Sequence, residues 1–283
     1  ETPSAALRTV QVTVSDGSNA SSVSTSTVTV AAVNDAPTFT GLDGTPTYTE
    51  NGTAVVLDAN ATVSDAELSG ANDFSGATLT LIRNGGANAQ DVFSASGTLG
   101  ALIEGSNLVV DGTSGGTVTT NSGGTLLLTF NASATGARVD SVLQQIAYRN
   151  GSDTPPASVT IDWTFSDGNS GSQGTGGALG ASGSVIVSIT AVNDPPTGAP
   201  LITGTPTENQ TLSADTSAVA DADGLGAFNY QWLRNGVAIT GATASTYTLG
   251  DDDVGANISV QEGYTDGNGT AATLPSAALG PVD

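Results

Sequence analysis

Apolar and polar residues alternate through this chain in short bursts. Ala77–Arg83 (ATLTLIR), Thr125–Asn131 (TLLLTFN), Ser158–Ser166 and Ser184–Val192 carry the pattern most clearly, and it predicts half-buried β-strands. Weaker runs add strands at Arg8–Val14, Val23–Val33, Tyr48–Glu50 continued by Ala54–Leu57, Asp91–Ala95 and Leu108–Val110. Clusters of Gly, Asn, Asp, Ser and Pro separate them, as turns require. Ser64–Glu67 reads as a polar loop, and 167–183, rich in Gly and Ser, as a mobile one. One stretch changes period. In Ala137–Tyr148, Val139, Val142, Leu143 and Ile146 sit at helical spacing, which predicts one short helix near 137–147 across an open edge. Towards the C-terminus, Phe228–Arg234 and Val237–Ile239 flank Asn235-Gly236, the strongest short hairpin signal. Ser245–Leu249 and Asn257–Tyr264 follow as strands around a core Trp232, and Asp266-Gly267 turns into the last one. The fold class is all-β, a tandem array of β-sandwich domains.

The array is marked by a repeat. Val28–Thr38 (VTVAAVNDAPT) returns as Val187–Thr197 (VSITAVNDPPT), and each copy ends an alternating run with Asn-Asp before proline. That is a last strand leaving one domain and a stiff connector entering the next. The residues before the first copy, ETPSAALRTVQVTVSDGSNASS, align with DTPPASVTIDWTFSDGNSGS at 153–172. The chain therefore divides into 1–36, the C-terminal half of a repeat, 37–194, a complete repeat, and 195–283, a smaller domain of immunoglobulin-like pattern. A lone half-repeat begins inside something larger, and its two strands call for pairing with another edge.

Composition removes most chemistries. The 283 residues contain no Cys, Met or His, and the five basic residues are all arginine: Arg8, Arg83, Arg138, Arg149 and Arg234. Disulfides, thiol nucleophiles, imidazole bases, lysine Schiff bases and ordinary zinc sites are excluded. A two-carboxylate glycosidase needs only acids, but no pair is marked for it. The expectation is that this is not an enzyme. A net charge of −22 opposes nucleic acid and anionic membrane surfaces. The same charge strains the compact state, and bound divalent cations would relieve that strain. No apolar run is long enough to insert into a membrane.

The acids are ordered. After the first connector come Asn34, Asp35, Glu50, Asp65 and Glu67; after the second come Asn193, Asp194, Glu208, Asp221 and Asp223. Both series read Asn-Asp, then Glu, then acid-x-acid, ahead of two different domains. Calcium takes about six to eight oxygens from carboxylates, amides and main-chain carbonyls, which these residues supply; magnesium prefers a smaller, wetter shell. Any one of these acids alone could be a turn or loop cap; the doubled set points to metal. Asp16, Asp167 and Asp266 each precede Gly and read as turn residues, and Asp251–Asp253 as a tight turn with one Asp bonding main-chain amides. Trp163, Trp232 and Tyr148 read as core rather than as a sugar-stacking platform.

VTVAAVNDAPT, VSITAVNDPPT, the YTEN opening and the SDAE loop resemble the cadherin-like repeats of large secreted Gram-negative adhesins, the RTX and biofilm-associated surface proteins. TPTENQTLSAD, ADADGLG and YQWLRNGVAI resemble the bacterial Ig-like repeats that alternate with them. The resemblance implies cadherin-like then Ig-like sandwiches with Ca2+ at the joints, held by the ten residues above. It also implies an extracellular, bacterial cell-surface location and a role as a stiff adhesion or biofilm spacer. The partners it implies are neighbouring repeats or subunits and a surface glycan or protein. Two other readings stand beside it: a self-assembling filament or sheath subunit whose N-terminal half-domain is completed by a neighbouring chain, and a carbohydrate-binding module, which would need exposed aromatics.

Overall fold

A computed structural model describes Ser4 and residues 6–283. The first few residues of the half-repeat, 1–3 and 5, lie outside the described residues. The chain forms two compact units, one ending at Thr190 and one spanning Ala191–Asp283.

The first unit is built on a seven-stranded sheet. Its spatial order is Thr47–Thr49, Gly180–Thr190, Ser158–Ser166, Thr78–Arg83, Thr125–Phe130, Thr113–Ser122 and Asn107–Val110. The alternating runs lie at its centre because every second residue can be buried. Leu79, Leu81, Leu126, Leu128, Ile161, Trp163, Phe165 and Val187 all lose their solvent contact. A three-stranded sheet of Val55–Val56, Ile146–Asn150 and Asp91–Ala95 supplies further buried residues to the same core. Arg83 bonds Asp91 through two contacts of 2.7 and 2.5 Å, and the Tyr148 hydroxyl donates to Asp91 at 2.6 Å, so one buried carboxylate ties strands of both sheets.

Three expectations change here. The helix near 137–147 is shorter, Gly136–Leu143, with Val139, Val142 and Leu143 inside. From Ile146 the chain is extended and pairs with Asp91–Ala95, because Ile146, Ala147 and Tyr148 are buried on a strand that the second sheet needs. The strand Thr113–Ser122 lacks the sequence signature of one, since Gly115 and Gly116 interrupt it. Gly116 is required there: a Cβ would lie 2.1 Å from the Thr129 carbonyl oxygen. Finally, the expected loop at Ser64–Glu67 opens a helix, Ala66–Ala71.

Arg8–Val12 and Ser24–Val28 form a separate two-stranded hairpin with every residue exposed.

The second unit stacks a three-stranded sheet (Leu201–Thr203, Thr211–Asp215, Thr246–Thr248) on a four-stranded one (Val237–Ala238, Asn229–Arg234, Ile258–Thr265, Ala271–Pro275). Trp232 is fully buried against Leu212, Ile258 and Val260, stacks on Tyr247 at 5.7 Å, and donates its indole N–H to the Ala244 carbonyl at 2.9 Å. Asn235 and Gly236 both take positive φ, as the predicted hairpin turn demands. Asp253 organises the acidic turn, accepting from the Gly250 N–H, the Tyr247 hydroxyl and the Arg234 guanidinium at 2.9, 2.8 and 2.7 Å. Across the described residues no helix is long and apolar enough to cross a membrane.

Candidate metal centre

Asp65 caps the helix Ala66–Ala71. Its Oδ1 accepts from the Glu67 and Leu68 N–H groups at 3.0 and 2.9 Å, satisfying two donors that a helix start leaves open. The SDAE tetrapeptide held this signal, an N-cap Asp with Glu in the first turn. The cap fixes where Glu67 lies, and Glu67 Oε2 accepts the Asp35 N–H at 3.3 Å. The connector is thereby held against the helix start.

Its neighbour Asn34 is 4% exposed. The main chain around it pairs with the Gly/Ser-rich loop: Asn34 N–H donates to Thr175 O at 2.9 Å, and Thr175 N–H to Ala32 O at 3.0 Å. The Asn34 side-chain amide donates to Asp167 Oδ2 at 2.6 Å and to Gly177 O at 3.0 Å. The loop itself is not the loose linker its composition suggests. Asp167 accepts from the Asn169 and Leu179 N–H groups, Asn169 accepts from Gly171 and Gln173, and Gln173 donates to the Asp167 carbonyl at 3.0 Å. Side-chain acceptors among glycines close turns that the glycines alone would leave open. Asp167 is both the turn residue expected and a buried partner of the connector.

Among the described residues, four side-chain oxygens at this pole are buried and accept no hydrogen bond: Asn34 Oδ1, Asp65 Oδ2, Glu67 Oε1 and Gln173 Oε1. Burial pushes the Asp65 carboxyl up despite its two amide donors, and the charges of Glu67 and Asp167 push the same way. Unpartnered buried acceptors are costly and uncommon. All are hard oxygen donors, two carboxylates and two amides, which fits calcium and not a soft transition metal. Glu67 and Gln173 also line a cavity of about 450 Å³, which gives this pole solvent access. Asp167 and Gln173 were not among the residues singled out for metal; SDGN had only a turn signal, and Gln173 has none.

Glu50 is not part of this pole, which corrects its grouping with Asn34 and Asp65. Its N–H bonds Thr190 O at one end of the strand Gly180–Thr190, whereas Asp167 bonds Leu179 beyond the other end. Eleven residues at about 3.3 Å each separate them by ~36 Å. The strand Thr47–Thr49 runs parallel to Gly180–Thr190, so by Glu50 the chain has reached the far pole. There the Glu50 carboxylate lies within 4.8 Å of that of Asp153.

In the second unit Asp194, Asp221 and Asp223 come together. Asp194 N–H donates to Asp223 Oδ2 at 2.7 Å, and Asp223 N–H to Asp221 Oδ1 at 2.9 Å. Tyr264 donates to Asp221 Oδ2, and Asn268 to Asp223 Oδ1 at 2.6 Å. Every oxygen of Asp221 and Asp223 is thus engaged. Burial and the Asp221 contact hold the Tyr264 hydroxyl well above its ordinary range, so it stays a donor. Asn193 is exposed and turns its amide back on the Asp194 carbonyl at 3.2 Å. Glu208 is separated from them, a second correction. It lies in the loop after Thr203, where its N–H bonds Asp283 O at 2.9 Å, while Asp221 follows the opposite end of that hairpin. A hydrogen bond with Asp251 raises the Glu208 carboxyl, with repulsion between the two charges adding to it.

Trp163, Trp232 and Tyr148 are all fully buried, so these three form no stacking platform.

No protein-family model and no curated protein matches the chain. Similar solved structures include protocadherin gamma B2 extracellular cadherin domains 1–5, with 12% identity and a TM-score of 0.36 over 95% of this chain and 45% of that one. Mouse cadherin-23 EC22–24 gives 12% and 0.33 over 86% and 66%, and the human desmocollin-1 ectodomain 13% and 0.30 over 90% and 42%. The chain spans less than half of the first of these, and no residue role is carried over from them.

Proposed function

We propose that this chain is a calcium-binding, extracellular β-repeat segment of a large bacterial surface protein, serving as a stiffened spacer in adhesion or biofilm structure. The observation that carries the reading is the set of four buried, unpartnered oxygens on Asn34, Asp65, Glu67 and Gln173. A calcium ion held there by these groups would supply the charge that Asp65, Glu67 and Asp167 lack as partners. It would also fasten the connector Asn34-Asp35 to the helix start and to the Gly/Ser-rich loop. A connector fastened from both sides bends less, which is the mechanical property a spacer needs. Asp194, Asp221 and Asp223 offer a second, already hydrogen-bonded oxygen cluster in the C-terminal unit.

The test is thermal unfolding with calcium, with magnesium and with EDTA. An ion that binds only the folded form at a hundredfold excess over Kd stabilises it by about 2.7 kcal/mol per site. The expected result is a calcium-selective rise in melting temperature, most of which is lost in Asn34→Ala and Asp65→Asn when each is compared with its own EDTA baseline. Equal curves in calcium and EDTA would remove the metal from the reading.

A second reading, a self-assembling subunit, is favoured by one observation: Val10, Val12 and Val14 of the N-terminal hairpin are 47, 51 and 68% exposed. Sedimentation over a hundredfold concentration range separates the two, since a spacer stays at one mass and a self-assembling subunit does not.

A further inference from the structure

Ile258–Thr265 is an interior strand of the C-terminal unit, flanked by Asn229–Arg234 on one side and Ala271–Pro275 on the other. Its alternate residues Ile258, Val260, Glu262 and Tyr264 point inward, and Glu262 is 0% exposed. Neither of its carboxylate oxygens has a hydrogen-bond partner among the described residues. Among the described residues no cation pairs with it. Arg234 is the one basic residue of the sequence from 191 onward, and it is bonded to Asp253.

The groups around Glu262 are acidic or neutral. Asp215, at the end of Thr211–Asp215 in the facing sheet, acts on it electrostatically. Across the strand pair lies Tyr230. Thr246–Thr248 contributes Tyr247, whose hydroxyl is given to Asp253. On the same strand Tyr264 donates to Asp221. Leu201–Thr203, Val237–Ala238 and Ala271–Pro275 bring no titratable side chain. An ionised Glu262 would be a buried charge with no counter-ion and no donor, facing a second carboxylate, an arrangement folded proteins avoid by neutralising the group.

We propose that Glu262 is a proton-binding site, held as the neutral acid while the C-terminal unit is folded, and that its ionisation as the pH rises loosens this unit. Burial foremost, and then the Asp215 charge, push the Glu262 carboxyl up. Burial first, and then a charge on Glu262, push the Tyr230 hydroxyl up. In the unfolded chain the same carboxyl titrates near the ordinary value, about 4.3. Its contribution to stability is therefore whole below that value and drains away as pH rises through the folded-state pKa. Between the two, the unfolding constant climbs by up to about tenfold per pH unit, and above them the climb stops. The cluster proposed for calcium has no part in this.

The test follows the full chain, with fluorine-labelled tryptophan so that Trp163 and Trp232 report separately, through urea unfolding between pH 4.5 and 9. Wild type is compared with Glu262→Gln, and the Glu262 carboxyl carbon of the wild type is titrated by NMR. The expected result is that Glu262→Gln matches or exceeds wild type at neutral and alkaline pH, with the gap closing toward acid by about tenfold per pH unit. Asp215→Asn is expected to move the Glu262 midpoint to lower pH. A Glu262 carboxyl that titrates at the ordinary value overturns the proposal, and so does a gap independent of pH. A gap that depends on added calcium or sodium also overturns it, because it would make Glu262 an ionised cation ligand. Should the glutamine variant fail to fold, the wild-type carboxyl titration decides alone.

Discussion

In the N-terminal hairpin Val10 lies across from Ser26 and Val12 from Ser24; in the closing hairpin of the repeat Ile161 lies across from Val185 and Trp163 from Gly183. When TVQVTVSDG is set on TIDWTFSDG, these are equivalent pairs in the same register, and both hairpins run on into Val-Asn-Asp. Their surroundings differ completely. Ile161, Trp163 and Val185 are buried in the repeat's sheet, whereas Val10 and Val12 are about half exposed on a hairpin that has no third strand among the described residues. Register is a local property, set by alternation and by the turn chemistry that closes the hairpin. Burial depends on what lies on either side, and no local pattern supplies that.

The sharpest way to break the comparison is at the equivalent positions 12 and 163. Removing the fully buried Trp163 leaves a large hole in the core, and Trp163→Ala is expected to cost about 3–5 kcal/mol. Val12→Ala removes a side chain that packs on little and is expected to change stability by less than about 0.5 kcal/mol. Urea unfolding of the full chain reads both. A cost for Val12→Ala approaching that of Trp163→Ala would mean that the N-terminal hairpin is packed in solution as its counterpart is.

The aspartates that follow each hairpin's first strand sharpen the same contrast at smaller scale. The Asp16 carboxylate accepts from the Ser18 and Asn19 N–H groups, and the Asp16 N–H closes the same turn onto the Asn19 carbonyl. Asp167 makes the same kind of turn but is fully buried and also receives the Asn34 amide. Asp167→Ala leaves the Leu179 and Asn169 N–H groups and the Asn34 amide short of an acceptor, which points to a loss of about 2–3 kcal/mol. It is also expected to free the connector, visible as faster amide exchange at Asn34 and Thr175. Asp16→Ala is expected to leave the melting of the repeat unchanged.

These pairs show what the sequence could and could not disclose. Strands with strict alternation, such as ATLTLIR and TLLLTF, are legible because a half-buried strand has no other way to place its leucines. The strand Thr113–Ser122 is not, because Gly115 and Gly116 weaken every local signal, and only the fold shows that the Thr129 backbone demands Gly116. The site divides likewise. Asn34, Asp35, Asp65 and Glu67 are close in space and recognisable by order and type. Glu50 and Glu208 fit the same order, yet a strand carries each to the other end of its sheet. Asp167 and Gln173 reach the pole only through the fold of a loop whose composition resembles a linker.

The smallest effect separates the hairpins by pH. The backbone N–H groups of Asn19 and Ser18 lower the Asp16 carboxyl below its ordinary value. A carboxylate lowered in the folded form stabilises it above the unfolded pKa, and that contribution is lost as pH falls through the folded one. The N-terminal turn should therefore loosen in acid. Amide exchange at Ser18 and Asn19, corrected for the intrinsic pH dependence, is expected to lose protection below the Asp16 pKa. In the same sample Ile161, Trp163 and Phe165 should keep theirs, because strands on both sides hold their amides whatever the turn does. Protection at Ser18 and Asn19 that persists into acid would show that something other than the Asp16 carboxylate closes this turn, and the likeness between the two hairpins would then extend past register to their support.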